Sequence, residues 1–417
     1  MSNSTQAGGA PTGVTPLNIP RPEFIAIMAG LMALNALAID IMLPAFPQMT
    51  GHFALADSNT VQFVLLSYLL GFGVAQPIYG PLSDRYGRLA PLYAGLALYI
   101  AGAVVGAFAP DFNTLLLVRF LQGVGAASTR VISLAAVRDT HSGRAMASTM
   151  SMVFVVFMAI PVLAPALGQL IILFGEWREI FIAMGLVAFA LMIWCLARLP
   201  ETLPPERRRP LTAASVIAGF GLVLANRHAF LYGLAMTSFF GGLFGFINLA
   251  QPVYVDVYGL GPYFPIAFAA VAVLMAVTSF INSRLVLNFG MRRLAHSALA
   301  GFAALSATMT ALAALDALPF FAFMALLCCM MPLFGFVGSN LNAIAMEPLG
   351  AVAGTASAVF GFMQTAGGAL IGAAVGQSFN GTVLPLAAGF LLASGGALIL
   401  ILVAEKGKLF SGAPIGN

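Results

Sequence analysis

The chain has 417 residues, of which 60% are hydrophobic and only 8% charged, with a formal net charge of +4. An average soluble protein is roughly 25% charged, and a soluble surface this poor in charge would carry apolar patches that monomers avoid. Composition therefore excludes an ordinary globular enzyme, a disordered chain and a nucleic-acid-binding protein, and the mean hydropathy of +0.98 points to a bilayer. Cys195, Cys328 and Cys329 sit in apolar runs without metal-site spacing and read as small buried hydrophobes.

In chain order, residues 1–20 are polar and Gly/Pro-rich and read as a disordered tail; they lack the basic stretch and cleavage site of a signal peptide. A bilayer-spanning helix needs about 20 mostly apolar residues. Twelve such stretches follow, at 24–46, 61–81, 89–109, 113–136, 147–173, 178–199, 228–253, 264–288, 293–315, 319–342, 354–379 and 383–404. The longest polar interruption, about 200–227, places Pro204 and Pro205 ahead of the run Glu206-Arg207-Arg208-Arg209-Pro210. The expected organisation is an all-α membrane protein: a six-helix bundle over 21–199, a linker over 200–227, a second six-helix bundle over 228–404, and a polar tail over 405–417.

With the N-terminus placed in the cytoplasm, 15 of the 18 Lys and Arg residues fall on the inner face and only Arg178 falls outside. The outer loops carry Asp57, Asp111, Glu176, Glu179, Asp256 and Asp316 instead. An odd number of spans scrambles this bias, so both termini are expected to be cytoplasmic. The positive net charge is a topology signal rather than a nucleic-acid footprint. Arg119 and Arg130 are left inside the fourth span.

The halves resemble each other. A shift of 208 lays Phe154, Gly168 and Gln169 on Phe362, Gly376 and Gln377, and a shift of 203 lays Tyr86 and Gly87 on Phe289 and Gly290. Twelve spans, a central basic loop and two similar halves describe a secondary transporter with its site between the halves.

The loop after the second span reads Gly80-Pro81-Leu82-Ser83-Asp84-Arg85-Tyr86-Gly87-Arg88, and it is similar to the signature of the major facilitator superfamily, at the place where that family has it. Arg119-Phe120-Leu121-Gln122-Gly123 with Gly125 resembles the family's intramembrane arginine motif. Ala164-Pro165-Ala166-Leu167-Gly168 resembles its antiporter motif, with Ala164 and Gln169 in place of two glycines. Asp40-Ile41-Met42-Leu43-Pro44, Arg138-Asp139 and Ala353-Gly354-Thr355-Ala356-Ser357-Ala358 resemble the bicyclomycin-resistance (Bcr/CflA) branch of drug:proton antiporters. The resemblance implies two pseudo-symmetric six-helix bundles in a bacterial inner membrane and proton-coupled export of small amphipathic compounds such as antibiotics.

Each motif has its own physics. Gly80 and Gly87 allow a tight turn and close helix approach. Asp84 is expected to face the N-terminus of the eleventh span, where Gly354 and Thr355 leave unpaired N–H groups, and Arg85 or Arg88 to pair with Asp139. Such a cluster forms a cytoplasmic gate; the competing reading is that the charges only set topology. Asp40 is the one carboxylate clearly inside a span, where an acid is costly and faces a cavity or a partner. Burial favours the protonated form and a nearby cation the ionised one, so Asp40 is the expected proton site and Arg119 its tuner. A structural carboxylate near the outer surface and a snorkelling arginine are the alternatives.

The candidate substrate-binding residues are Asn35, Tyr68, Gln122, Arg130, Phe154, Met158, Phe240, Phe244, Asn248, Phe360, Met363 and Gln364. Met and aromatic side chains make adaptable apolar surfaces, although helix packing accounts for them equally. Arg130 has no firm role at this stage. Pro161 and Pro165 are expected to bend the fifth span. His52, His141, His228 and His296 lie in or beside loops with no metal spacing, and no Gly-Lys-Ser/Thr phosphate loop is present. No enzyme activity, metal or organic cofactor is implied; the expected partners are protons, small-molecule substrates and lipid, and the expected state a monomer. The alternative function is a proton-coupled uptake symporter of the same fold for a sugar or organic acid.

Overall fold

In a computed structural model, which describes residues 19–208 and 220–410, the described residues are helical and contain twelve helices long and apolar enough to cross a membrane. The spans are Arg21–His52, Ser58–Tyr86, Leu89–Ala107, Phe112–Thr140, Ser148–Phe174, Trp177–Arg198, Arg227–Val257, Gly261–Phe289, Met291–Ala314, Phe320–Gly350, Ala353–Gln377 and Leu384–Ala404, numbered 1 to 12 below. This is the all-helical architecture expected from hydropathy, with several spans longer than the apolar stretch alone. The N-terminal tail lies mostly outside the described residues, as do Arg209 and the centre of the linker and the end of the C-terminal tail.

Twelve crossings return both ends of the described chain to one face, called here the terminal face; the opposite one is the distal face. Spans 1 to 6 pack on one another, with span 4 running between spans 2 and 3, and span 7 is the matching hub of the second set, packed on spans 11 and 12. The two sets meet where span 2 lies along span 11, span 5 along span 8, and the distal part of span 1 against span 7.

Several spans are broken, and proline accounts for most breaks. Span 1 is an α-helix over Arg21–Asp40, a 3-10 turn over Leu43–Ala45 and a short helix over Phe46–His52. Pro44 and Pro47 withhold N–H groups from the helical ladder there. Span 10 breaks between Phe320–Met330 and Leu333–Met346, ahead of Pro332. Span 11 loosens to a π-helix over Met363–Gly367, a form that clusters at functional sites.

Hydrogen bonds join the two sets at two levels. At the distal end, Asn59 Nδ2 donates to the Phe379 carbonyl at 3.0 Å and Gln377 Nε2 to the Asn59 carbonyl at 2.7 Å. Midway, Gln76 Nε2 donates to Thr365 Oγ1 at 3.2 Å, within the π-helix. The two spans pack closely here, where a side-chain carbon at Gly73 would lie 2.9 Å from Ala366; toward the terminal face, a carbon at Gly80 or at Gly354 would meet nothing within 4 Å. Among the described residues, the hydrogen bonds between the two sets lie at the distal end and midway.

Candidate functional site

The end of the first helix places Asp40 in the interior at 5% exposure. Among the described residues no hydrogen bond or ion pair reaches its carboxylate. The backbone around it is held from two directions. From span 4, the fully buried Arg119 donates Nη2–H to the Ala38 carbonyl at 2.9 Å, two residues ahead of Asp40. From span 5, Gly168 lies flat against the Ile41 carbonyl, so closely that any side-chain carbon there would overlap the oxygen. The glycine of the antiporter-like motif thus seats the break in span 1 that follows Asp40.

Arg119 finds its partners without a carboxylate. Its Nη1 donates to Gln122 Oε1 at 2.7 Å, its Nε to the Val64 carbonyl at 3.4 Å, and its guanidinium lies 4.4 Å from the centroid of the Tyr68 ring. Buried cations require such hydrogen bonds. The expected Asp40–Arg119 couple is therefore indirect: Arg119 grips the main chain beside Asp40 rather than its carboxylate. Tyr68 in turn donates its hydroxyl to Asn35 Oδ1 at 3.1 Å, and stacks on Phe72 at 6.3 Å. Arg130, three helical turns from Arg119, has its guanidinium 5.9 Å from the Phe72 ring.

The other substrate-site candidates divide. Asn35, Arg130, Met158, Phe240, Met363 and Gln364 are half-buried, and Phe154 is exposed. Tyr68, Gln122, Phe244, Asn248 and Phe360 are buried. Three of these are spent on packing within the second half. Phe244 fills the space beside Gly368 and Gly372, Phe360 lies against Gly233, and Asn248 donates to the Phe244 carbonyl at 2.9 Å.

On the terminal face the expected gate residues assemble around Arg88. Its Nε and Nη2 donate to the two oxygens of Asp139 at 2.7 and 3.3 Å, and its Nη1 to Asp84 at 2.6 Å and Ser83 at 2.8 Å. Gly87, at φ +89°, turns the chain so that this side chain folds back under span 2. Arg85 is exposed and makes no ion pair among the described residues; it rests on Tyr86. Among the described residues the expected contact of Asp84 with the N-terminus of span 11 is not made; Arg88 holds the carboxylate instead.

Glu201 went unnoticed in sequence. Its carboxylate accepts from the backbone N–H groups of Arg88 and Leu89 at 2.9 and 3.2 Å, capping the start of span 3. A second cluster was missed altogether. Glu405, its side chain wholly buried, accepts from the Tyr232 hydroxyl at 2.6 Å and Arg292 Nε at 3.2 Å, and lies 3.3 Å from His228 Nε2. Arg292 also pairs with Glu347 at 3.1 Å, and His296 Nε2 meets the Tyr232 hydroxyl at 3.0 Å. Two of the four histidines assigned to or beside loops, His228 and His296, are parts of this network. Burial pushes the Glu405 carboxyl up, but the hydrogen bonds from Tyr232, Arg292 and His228 outweigh it and hold it below the ordinary carboxylate range. The signal in the sequence was a shift of 204, which lays Arg88 on Arg292 and Glu201 on Glu405.

The family model for the Major Facilitator Superfamily matches residues 28–373. The chain belongs to that superfamily. It is 31% identical over 371 residues to the uncharacterized MFS-type transporter YdgK of Bacillus subtilis (strain 168), covering 87% of this chain and 91% of that one. It is 29% identical over 369 residues to a bicyclomycin resistance protein homolog of Haemophilus influenzae, again covering 87% and 91%. Among solved structures, the xylose transporter XylE from E. coli, described as a partially occluded inward open conformation, superposes with a TM-score of 0.73 at 13% identity, covering 93% of this chain and 97% of that one. The chain is a multi-pass membrane transporter of this superfamily rather than an enzyme, and its relatives agree with the drug-antiporter branch that its motifs resemble.

Proposed function

We propose that this transporter is a proton-coupled exporter of small amphipathic compounds, antibiotics among them, in a bacterial inner membrane with both termini in the cytoplasm. The terminal face is then the cytoplasmic one. The observation that carries the proposal is the setting of Asp40: a buried carboxyl without an ion-pair partner among the described residues, at a helix break gripped by Arg119 and seated on Gly168. An isolated acid at membrane depth is costly and functional by default. A charge-neutral, protonated Asp40 lets the apolar surfaces around the break close together; an ionised one needs water or a counter-charge. Alternation between those forms ties proton loading to the rocking of the halves. The bicyclomycin-resistance name of one relative supports the choice of cargo.

The test is export from proteoliposomes under imposed pH gradients, with a panel of antibiotics and dyes. Asp40→Asn keeps the size and removes the titratable proton. Uphill, pH-driven export is expected to vanish in that variant while downhill exchange survives. Equal substrate-induced proton release from wild type and Asp40→Asn in detergent overturns the assignment.

A further inference from the structure

Arg130 is an intramembrane charge without a hydrogen bond or ion pair among the described residues. It lies ten residues before Thr140, the end of span 4, so about 15 Å from that end, well inside the apolar stretch. Eleven residues from Arg119 is close to three full helical turns, so both arginines project from the same face of span 4, toward spans 1 and 2. Arg119 is fully buried and satisfied by two carbonyls and Gln122. Arg130 is half-buried and, among the described residues, has neither a hydrogen bond nor an ion pair; its one recorded neighbour is the face of Phe72.

Phe72 and Tyr68, the side chains alongside on span 2, are 1% and 0% exposed, so Arg130 stands against the packed interior of the first half. A guanidinium stays charged at any relevant pH, and at this depth an unpaired cation is expensive. No carboxylate of the first half pairs with it among the described residues: the ion pairs there are made by Arg88, Arg178 and Arg198. Those of the second half belong to His228 and Arg292.

We propose that Arg130 is an anion-recognition group of the transport cavity, and that the preferred substrates are amphipaths carrying one carboxylate or an equivalently charged group, ring against the Met/Phe surfaces and anion on the guanidinium fork. A planar fork fits a carboxylate in bidentate fashion, and the bound anion supplies the counter-charge that the protein lacks. This rests on the export reading for direction but not for binding. It sharpens that reading, because a substrate anion and the proton-carrying Asp40 then occupy different levels of the same half, with Tyr68 and Asn35 between them.

The probe set keeps one ring and changes one charge: radiolabelled 1-naphthaleneacetate, the neutral 1-naphthaleneacetamide and the cationic 1-naphthylmethylammonium. Binding to the purified full chain is measured by scintillation proximity. Wild type is expected to bind the carboxylate at least tenfold more tightly than the amide, and the ammonium least. Arg130→Gln is expected to erase the carboxylate preference with amide affinity within twofold of wild type, and Arg130→Lys to keep part of it. The wild-type ranking alone decides even if a variant fails to fold: equal affinities, or no detectable carboxylate binding, overturn the proposal. Efflux of a neutral antibiotic from proteoliposomes under a pH gradient is run in parallel. Export without a charge preference removes the anion site and leaves the exporter; a charge preference without pH-driven export does the reverse.

Discussion

In the first half the terminal-face cluster is organised by a cation: Arg88 is buried, and Asp139, Asp84 and Ser83 are arranged around it. In the second half, 204 positions on, Arg292 stands in the same register, but the hub is an anion, Glu405, surrounded by Arg292, Tyr232 and His228. The shared parts are the turn glycines, Gly87 at φ +89° and Gly290 at φ +78°, and an acid after the last span of the half that meets the post-turn arginine, through its backbone N–H in the first half and its guanidinium in the second. The partners differ. The first cluster is built from a guanidinium, two carboxylates and a hydroxyl. The second contains imidazoles, and a phenol that links one of them to Glu405. One architectural repeat therefore carries a charge clamp on one side and an imidazole–phenol–carboxylate network on the other.

The comparison breaks first at its strongest element. Arg88→Ala leaves the half-buried Asp139 without its bidentate partner, and removing one member of a largely desolvated pair costs up to roughly 3–5 kcal/mol. Melting of the purified protein in detergent is expected to show this as the largest loss of any single variant here. Arg88→Lys is expected to recover only part, since a point cation cannot serve Asp139 and Asp84 with the same fork. A larger loss from Arg292→Ala would reverse the assignment of clamp and network.

The glycine pair gives a graded test. Both sit at positive φ with extended ψ, a region nearly confined to glycine, where another residue costs of order 1–3 kcal/mol. Gly290→Ala meets only that strain, because nothing lies within 4 Å of the new carbon. Gly87→Ala in addition drives it to 2.5 Å from Glu201 Oε2 and 2.8 Å from the Arg208 guanidinium. Gly87→Ala is expected to be the more destabilising of the two; equal melting temperatures would mean that the Glu201 contact is slack.

Glu405→Gln addresses the second cluster. It retains a hydrogen-bond acceptor but removes the charge that Arg292 faces, at a cost of about 1–3 kcal/mol. The folded-state carboxyl is held below its ordinary range. Its contribution to stability is thus complete above the unfolded-state pKa and is lost as pH falls through the folded one. The gap between wild type and Glu405→Gln, followed as melting temperature against pH, is expected to be widest near neutrality and to close in acid. A constant gap would show that the carboxylate acts by shape alone.

Much of the fold was legible in the sequence because length and hydropathy determine spans, and Lys/Arg placement marks their ends. The sites were less so, for physical reasons that differ by residue. Arg119 was visible as an oddity, but its partners are the carbonyls of Ala38 and Val64, and main-chain acceptors carry no residue signature. The contact of Gly168 with Ile41 depends on how two broken helices cross. Glu405 was hidden by its neighbours, since Lys406 and Lys408 make the stretch read as a solvated tail. Phe244 and Phe360 read as a binding face, and turned inward because Gly368, Gly372 and Gly233 offer room for a ring.

The smallest expected effect is also the one that connects the clamp to motion. Asp84 is the most open member of the first cluster, its side chain 44% exposed against 5% for Arg88, so the pair is screened and worth at most about 1 kcal/mol. Asp84→Asn is accordingly expected to melt close to wild type, with Arg88 still held by Asp139. Its effect should fall instead on cycling. In the structure Asp84 pairs with Arg88; in a state where the start of span 11 lies against it, the same carboxylate can meet the N–H groups there, where a charge–dipole contact adds roughly 0.3–2 kcal/mol. Removing the charge weakens that state more than the one described. The expected result is a partial loss of transport, severalfold rather than complete, together with faster labelling of a cysteine placed at Gly354 from the terminal face. Unchanged transport and unchanged labelling at normal expression would leave the loop charges with topology as their only task.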